Sequence, residues 1–70
     1  MITRQIKLNA TEDVQEFVNE AAKCSFDIDI SYNRIIIDAK SLLGILSMDL
    51  TRELTVRCYG ESQKFNKVMD

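Results

Sequence analysis

The stretch "IDAKSLLGILSMDL", Ile37 to Leu50, decides much of the fold, because it places a single serine directly before a short apolar run. The run is too short to cross a membrane. Its apolar residues are also too many for one stripe on a short helix, and they are Leu42, Leu43, Ile45, Leu46, Met48 and Leu50. The stretch therefore predicts a helix that begins after Ser41 and is either buried all round or exposes an apolar patch.

Four other segments have the alternating polarity of half-buried strands. They are residues 1–9, 25–32, 34–40 and 53–60. Arg4 interrupts the apolar face of the first segment, which Ile2, Ile6 and Leu8 would form. Asn33 and Arg34 stand where a two-residue hairpin turn would join the two middle strands, and asparagine tolerates the left-handed conformation that such turns require.

Two further segments have the spacing of amphipathic helices. The first would begin at Thr11, whose hydroxyl can cap it, with Glu12 and Asp13 in the first turn. Its apolar stripe would be Val14, Phe17, Val18, Ala21 and Ala22. The second would be a short closing helix capped by Ser62, with Phe65, Val68 and Met69 on one face. The predicted order is thus β-α-β-β-α-β-α in a single domain over residues 1–70. This order indicates an α+β open-faced sandwich, with a four-stranded antiparallel sheet and helices on one face.

The composition narrows the classes of function. An apolar content of 46% favours a folded core, and a net charge of −2 offers no basic surface for nucleic acid or an anionic membrane. The chain has no histidine, and its two cysteines, Cys24 and Cys58, show no metal-ligand spacing, so we expect no metal, no cofactor and two free thiols. No serine has a histidine to activate it, so we expect no catalytic site. Without an export or membrane-spanning pattern, the expected location is the cytoplasm.

The chain resembles HPr, the small phosphocarrier family of the bacterial sugar phosphotransferase system. The most specific piece is "AKSLLGILSM", residues 39–48, which is similar to the family's lysine-serine motif and the hydrophobic positions after it. The segment "FVNEAAK" in the first helix and the "YN" of the hairpin are similar in kind, and residues 10–48 align with the family without a gap. The last helix lacks roughly two of the turns that the family would have.

The family's phosphate acceptor is a histidine at the start of the first helix, followed closely by arginine and proline. The alignment places Ala10 at the histidine, with Thr11 the alternative, and Glu12 and Asp13 at the arginine and the proline. Phosphate carriage needs an imidazole nitrogen and a cation, and here an anion replaces the cation. The resemblance therefore implies a degenerate site at Ala10, Thr11 and Glu12, without histidine phosphotransfer. Thr11 is expected to be a helix cap and not a substitute acceptor.

Ser41 matches the serine that a dedicated ATP-dependent kinase phosphorylates in many Gram-positive members of the family. A plain N-cap role fits the same position. The family's partner-docking surface corresponds to Lys40, Leu42, Leu43 and Leu46, although core packing would also explain the leucines. Lys40 is expected to lie beside a phosphate on Ser41.

The resemblance implies a protein-binding regulator, similar to Crh in lacking the acceptor histidine. Its protein partners would be an HPr serine kinase and a transcriptional regulator, and it would be neither an enzyme nor a nucleic-acid or membrane binder. Two alternatives stay open, a phosphocarrier that uses another acceptor residue and a small RNA-binding sandwich. If the short last helix leaves part of the sheet's apolar face uncovered, a weak homodimer is expected.

Overall fold

A computed structural model of the protein describes residues 1–69 and confirms the predicted α+β class and order of elements. The elements are β1 (Ile2–Ile6), α1 (Thr11–Ala22), β2 (Ile28–Tyr32), β3 (Ile35–Asp38), α2 (Leu42–Leu46), β4 (Leu54–Cys58) and α3 (Gln63–Met69). The four strands form one antiparallel sheet in the order β1-β4-β2-β3. None of the helices within residues 1–69 has both the length and the apolar character needed to cross a membrane.

The register of the strands sorts their side chains onto an apolar inner face and a polar outer face. Ile30 lies opposite both Val56 and Ile37, so these residues share the inner face. Arg4 lies opposite Val56, which confirms that it interrupts the apolar face of β1. The outer face carries mainly polar residues, among them Thr3, Gln5, Asp29, Asp38, Thr55 and Arg57.

The core lies between the inner face and the helices. The inward residues of β4, Leu54, Val56 and Cys58, are all buried, as the period of two predicted. Phe17 of α1 and Phe65 of α3 meet in this layer with ring centroids 5.4 Å apart. The predicted stripe of α1 is confirmed at Val14, Phe17, Val18 and Ala21, but Ala22 is exposed at the end of the helix.

The predicted cap of α1 is wrong. The N-cap residue is Ala10, Thr11 is already helical, and no side chain of the N-cap residue caps the helix. Instead the carboxylate of Asp13 accepts hydrogen bonds from the backbone N–H groups of Asn9 and Ala10, both at 3.2 Å. An acidic residue in the first turn thus satisfies donors outside the helix, and the Thr11 hydroxyl is left exposed.

The other two predicted caps are confirmed. The hydroxyl of Ser62 accepts from the N–H of Phe65 at 3.3 Å and starts α3. The hydroxyl of Ser41 accepts from the N–H of Gly44, also at 3.3 Å, and starts α2. In the hairpin between β2 and β3, Asn33 has a φ of 60°, whereas Arg34 does not have a positive φ. A positive φ at the first turn residue alone is typical of a type II′ turn.

The short α3 leaves no gap over β4, and whether the chain forms the predicted homodimer stays a prediction. Phe65 and Met69 are buried, and the sulfur of Met69 lies 4.0 Å from the sulfur of Cys58. The large apolar side chains that the structure leaves most exposed lie elsewhere, at Met1, Ile35, Ile36, Leu43, Leu46 and Tyr59.

Candidate functional site

Ser41 is an exposed residue at the start of α2. Its backbone is extended, with φ −100° and ψ 96°, and its carbonyl accepts from the N–H of Ile45 at 3.1 Å. Its own N–H donates to the carbonyl of Asp38 at 2.9 Å, which ties it to the end of β3. The hydroxyl is thus held at the surface by backbone on both sides, while it accepts from Gly44.

The apolar residues from Leu42 to Leu50, in α2 and the loop after it, divide between the core and the surface. Ile45 and Met48 are buried, and Leu42 and Leu50 are partly buried against the core. Leu43 and Leu46 face solvent, with 80% and 39% of their area exposed. The run is therefore not buried all round, and the alternative of an exposed apolar patch is confirmed at Leu43 and Leu46. We use the term docking surface for the residues predicted to bind partners together with the serine, and they are Lys40, Ser41, Leu42, Leu43 and Leu46.

Gly44 lets α2 approach β3 closely. A Cβ atom at this position would lie 2.8 Å from Cγ2 of Ile37 and 2.9 Å from Oγ of Ser41. Both distances are shorter than ordinary van der Waals contact, so a side chain would push the helix away from the sheet or disturb the Ser41 cap. The position and orientation of the docking surface therefore depend on this glycine.

Lys40 has a structural role in the fold. Its ammonium group donates to the carbonyl of Cys24 at 3.0 Å, and its N–H donates to the Asp38 carboxylate at 2.9 Å. Cys24 follows the C-terminal end of α1, where orphan carbonyls favour a cation. The ammonium group is thus engaged with backbone, and its placement beside a phosphate on Ser41 stays a prediction.

The start of α1 carries the three residues of the predicted degenerate site, Ala10, Thr11 and Glu12, all exposed. The carboxylate of Glu12 and that of Asp13 give this helix end negative charge, which repels a phosphoryl dianion. An open groove runs past it, lined by Lys7, Leu8, Asn9, Ala10, Thr11, Leu50 and Thr51. The groove therefore lies between the start of α1 and the loop that follows α2.

That loop is ordered by Asp49. Its carboxylate accepts from both the hydroxyl and the N–H of Thr51, the latter at 3.1 Å, and lies 3.6 Å from Nε of Arg52. The bonds from Thr51, and secondarily the charge of Arg52, hold the pKa of Asp49 below its usual value. The Asp49 carboxylate is thus engaged in contacts within its own loop.

The two thiols differ in their surroundings. Both cysteines are free; Cys58 is buried and Cys24 is partly buried. Burial raises the pKa of Cys58, with a smaller contribution from Cys24 and an opposing one from Arg4. Within residues 1–69, no group of three or more histidine, cysteine, aspartate or glutamate side chains is arranged to hold a metal ion.

Two features of the site could not be read from the pattern of residues alone. The bond from Lys40 to Cys24 joins residues 16 positions apart, and the contact of Gly44 with Ile37 depends on the packing of α2. The role of Asp13 had a signal, since an acidic residue three positions after the N-cap is half of a capping box. Ser41 and its neighbouring leucines stood in the sequence as one motif, and the fold keeps them together.

Comparison with solved structures places the fold. The chain superposes on the crystal structure of HPr-C-His from Thermoanaerobacter tengcongensis with a TM-score of 0.78 and 22% identity, covering 99% of this chain and 86% of that one. It superposes on the crystal structure of a phosphocarrier protein HPr from Bacillus anthracis str. Ames with a TM-score of 0.72 and 20% identity, covering 97% and 92%. No family model and no curated protein matches the sequence. The predicted HPr-like fold is confirmed.

Proposed function

We propose that this chain is a divergent relative of HPr that has lost histidine phosphotransfer and acts by binding other proteins, with phosphorylation of Ser41 as its switch. The observation that carries the proposal is the docking surface, where an exposed serine caps a short helix that also carries two exposed leucines. The HPr fold, over nearly the whole chain, supports the same relationship.

The start of α1 argues against a phosphocarrier of the usual kind. The chain has no histidine, and the exposed residues at this helix end are Ala10, Thr11 and two carboxylates. A phosphoryl group there would meet like charge and have no guanidinium to steady it. The alternative hypothesis is a phosphocarrier that uses another acceptor. Since the Thr11 hydroxyl does not cap the helix, Thr11 is the acceptor that such a carrier would use.

Phosphorylation suits the position of Ser41 in two respects. The hydroxyl is exposed, so a kinase can reach it. Transfer would form a bond from Oγ of Ser41 to the γ-phosphorus of ATP and break the bond to the bridging oxygen of ADP, while the hydroxyl proton passes to a base of the kinase. The product would add about −1.5 to −2 of charge beside Leu43 and Leu46. An anion next to an apolar patch is a recognition feature for a partner that offers an arginine and an apolar pocket.

The partners fitting this surface are a serine kinase of the HPr type and a transcriptional regulator that reads the phosphorylated form. Leu43 contributes little to the core, because 80% of its area is exposed, so it is available for contact. Lys40 remains in the proposed docking surface only through its stem, since its ammonium group is bound to the Cys24 carbonyl. In this account the chain is a cytoplasmic binding module and not an enzyme.

The proposal is tested by intact mass after incubation with an HPr serine kinase and ATP. The parent chain should gain one phosphate, and Ser41→Ala should gain none. Ser47→Ala is the matched control, because Ser47 is also an exposed serine but lies at the opposite, C-terminal end of α2, where its hydroxyl donates to the carbonyl of Gly44 at 2.6 Å. Leu43→Lys should slow modification without unfolding the chain. Equal phosphate gain by the parent and Ser41→Ala, or no gain by the parent, would contradict the proposed switch.

A further inference from the structure

The free edge of β3 has the features of an interface between two copies of this chain. β3 lies at one end of the sheet and β1 at the other, so each has one unpaired side. The free edge of β1 carries Thr3, Arg4 and Gln5, polar residues of the kind that protect an edge from pairing. β3 reads Ile35, Ile36, Ile37 and Asp38, and lacks that protection.

The backbone of β3 presents hydrogen-bonding groups to the outside. The N–H of Ala39 donates to the carbonyl of Ile28 at 2.9 Å, in the register that places Asp38 opposite Asp29. Successive residues of an antiparallel strand alternate between bonding to the neighbour and facing away. The N–H and carbonyl of Ile36 and the N–H of Asp38 therefore point to the open edge.

The side chains at this edge are apolar although they are exposed to solvent in the monomer and add little to its core. Ile36 lies on the outer face opposite Ser31 and is 61% exposed, among otherwise polar neighbours. Ile35 lies on the inner face and is 52% exposed. A second strand beside β3 would cover both.

The sequence of the edge is complementary to itself. From Arg34 to Asp38 it runs from a cation, through three isoleucines, to an anion. In an antiparallel pair of two copies centred on Ile36, each Arg34 would lie opposite Asp38 of the second copy, and Ile36 would lie opposite itself. The same register aligns the outward backbone groups, since Arg34, Ile36 and Asp38 have the same parity along the strand.

The charges within one copy favour this arrangement. Asp38 faces Asp29 across the sheet, a like-charged pair. Arg34 is exposed and has no ion-pair partner among residues 1–69. A second copy would supply the missing cation to Asp38 and the missing anion to Arg34, twice by symmetry.

We infer that the chain forms a symmetric dimer in which β3 pairs antiparallel with β3 of a second copy, in the register that sets Arg34 opposite Asp38. The result is one continuous sheet of eight strands across both copies. Assembly stops at the dimer because the two outer edges of this sheet are the polar β1 strands. A single strand pair buries little area, so the dimer is weak and depends on concentration. The inference does not depend on phosphorylation of Ser41.

The test is the molar mass of the unmodified full chain by sedimentation equilibrium over a wide range of concentrations. The parent should convert from monomer to dimer as concentration rises. Ile36→Lys should weaken the dimer by on the order of tenfold or more, because it sets two ammonium groups opposite each other. Arg34→Glu should act similarly, because it sets glutamate opposite Asp38. Both residues are exposed, so the fold of the monomer should survive, as circular dichroism can verify.

The matched control is Gln5→Lys, which adds the same charge to an exposed outer-face position of the opposite edge and should leave the dimer unchanged. Amide hydrogen exchange tests the register, since the N–H of Ile36 should become protected in the parent as concentration rises and stay unprotected in Arg34→Glu. A parent that is monomeric throughout would overturn the inference. So would a dimer that survives Ile36→Lys, or one that Gln5→Lys disrupts equally.

Discussion

Gly44→Ala should destabilise the protein by moving α2 away from β3. The added Cβ would lie 2.8 Å from Cγ2 of Ile37 and 2.9 Å from Oγ of Ser41. Cγ2 of Ile37 is fixed directly to Cβ of a β-branched side chain, so it cannot swing aside as a flexible chain end would. The helix must therefore shift, and the shift also disturbs the hydrogen bond from the N–H of Gly44 to the Ser41 hydroxyl.

The size of the effect follows from three contributions. Overpacking against Ile37 costs about 1–3 kcal/mol. Disturbing the Ser41 cap costs about 1 kcal/mol. The higher helix propensity of alanine returns about 1 kcal/mol. The net loss of unfolding free energy is about 1–3 kcal/mol, which lowers the melting temperature by at least about 4 °C for a chain of this size.

Urea unfolding followed by far-ultraviolet circular dichroism measures this loss, and a double-mutant cycle with Ile37→Ala assigns it. Ile37→Ala removes Cγ2, so Gly44→Ala should cost at least about 1 kcal/mol less in that background. If Gly44→Ala were neutral or stabilising in the parent, or cost the same in both backgrounds, the close approach of α2 to β3 would be refuted.

The remaining predictions concern the thiols and the loop after α2. Iodoacetamide should modify Cys24 well before Cys58, because Cys58 is 2% exposed and its pKa is raised by burial; equal rates, or a Cys24→Ser variant that reacts readily without urea, would contradict this. Asp49 has a folded-state pKa below its ordinary 3.8, so its contribution to stability is present above that pH and is lost as the pH falls through the lower folded value. Unfolding free energy should therefore fall less steeply with acid in Asp49→Asn than in the parent, whereas parallel curves would show that the carboxylate is not held by Thr51.

Local pattern was enough to predict the fold. The period of two in the strand ending at Cys58 and the spacing of Val14, Phe17 and Val18 both describe residues that face one core, so each element could be placed separately. The start of α1 could not be settled in the same way. Thr11 and Asp13 are both capping residues a short distance apart, and only the backbone conformation at Ala10 decides that the carboxylate is used.

The candidate site was predicted where it depends on adjacent residues and missed where it depends on packing between elements. Ser41 was predicted as a helix cap because it directly precedes an apolar run, and its regulatory role was predicted from the resemblance of residues 39–48 to HPr; the cap bond to Gly44 spans only three positions. The exposure of Leu43 and Leu46 could not be derived, because a helix with apolar residues on all sides can turn any of them outward. The self-complementary edge from Arg34 to Asp38 becomes visible only when the sheet order shows that β3 has no neighbour on one side.

The central claim is that phosphate reaches this HPr fold at Ser41 and not at the start of α1. One intact-mass measurement with two phosphoryl donors tests it. The chain is incubated in parallel with an HPr serine kinase and ATP, and with phosphoenolpyruvate and the general phosphotransferase enzyme. The account predicts one added phosphate with the first donor, absent from Ser41→Ala, and none with the second. Phosphate gained from phosphoenolpyruvate and lost in Thr11→Ala would contradict it and make the chain a carrier with a new acceptor.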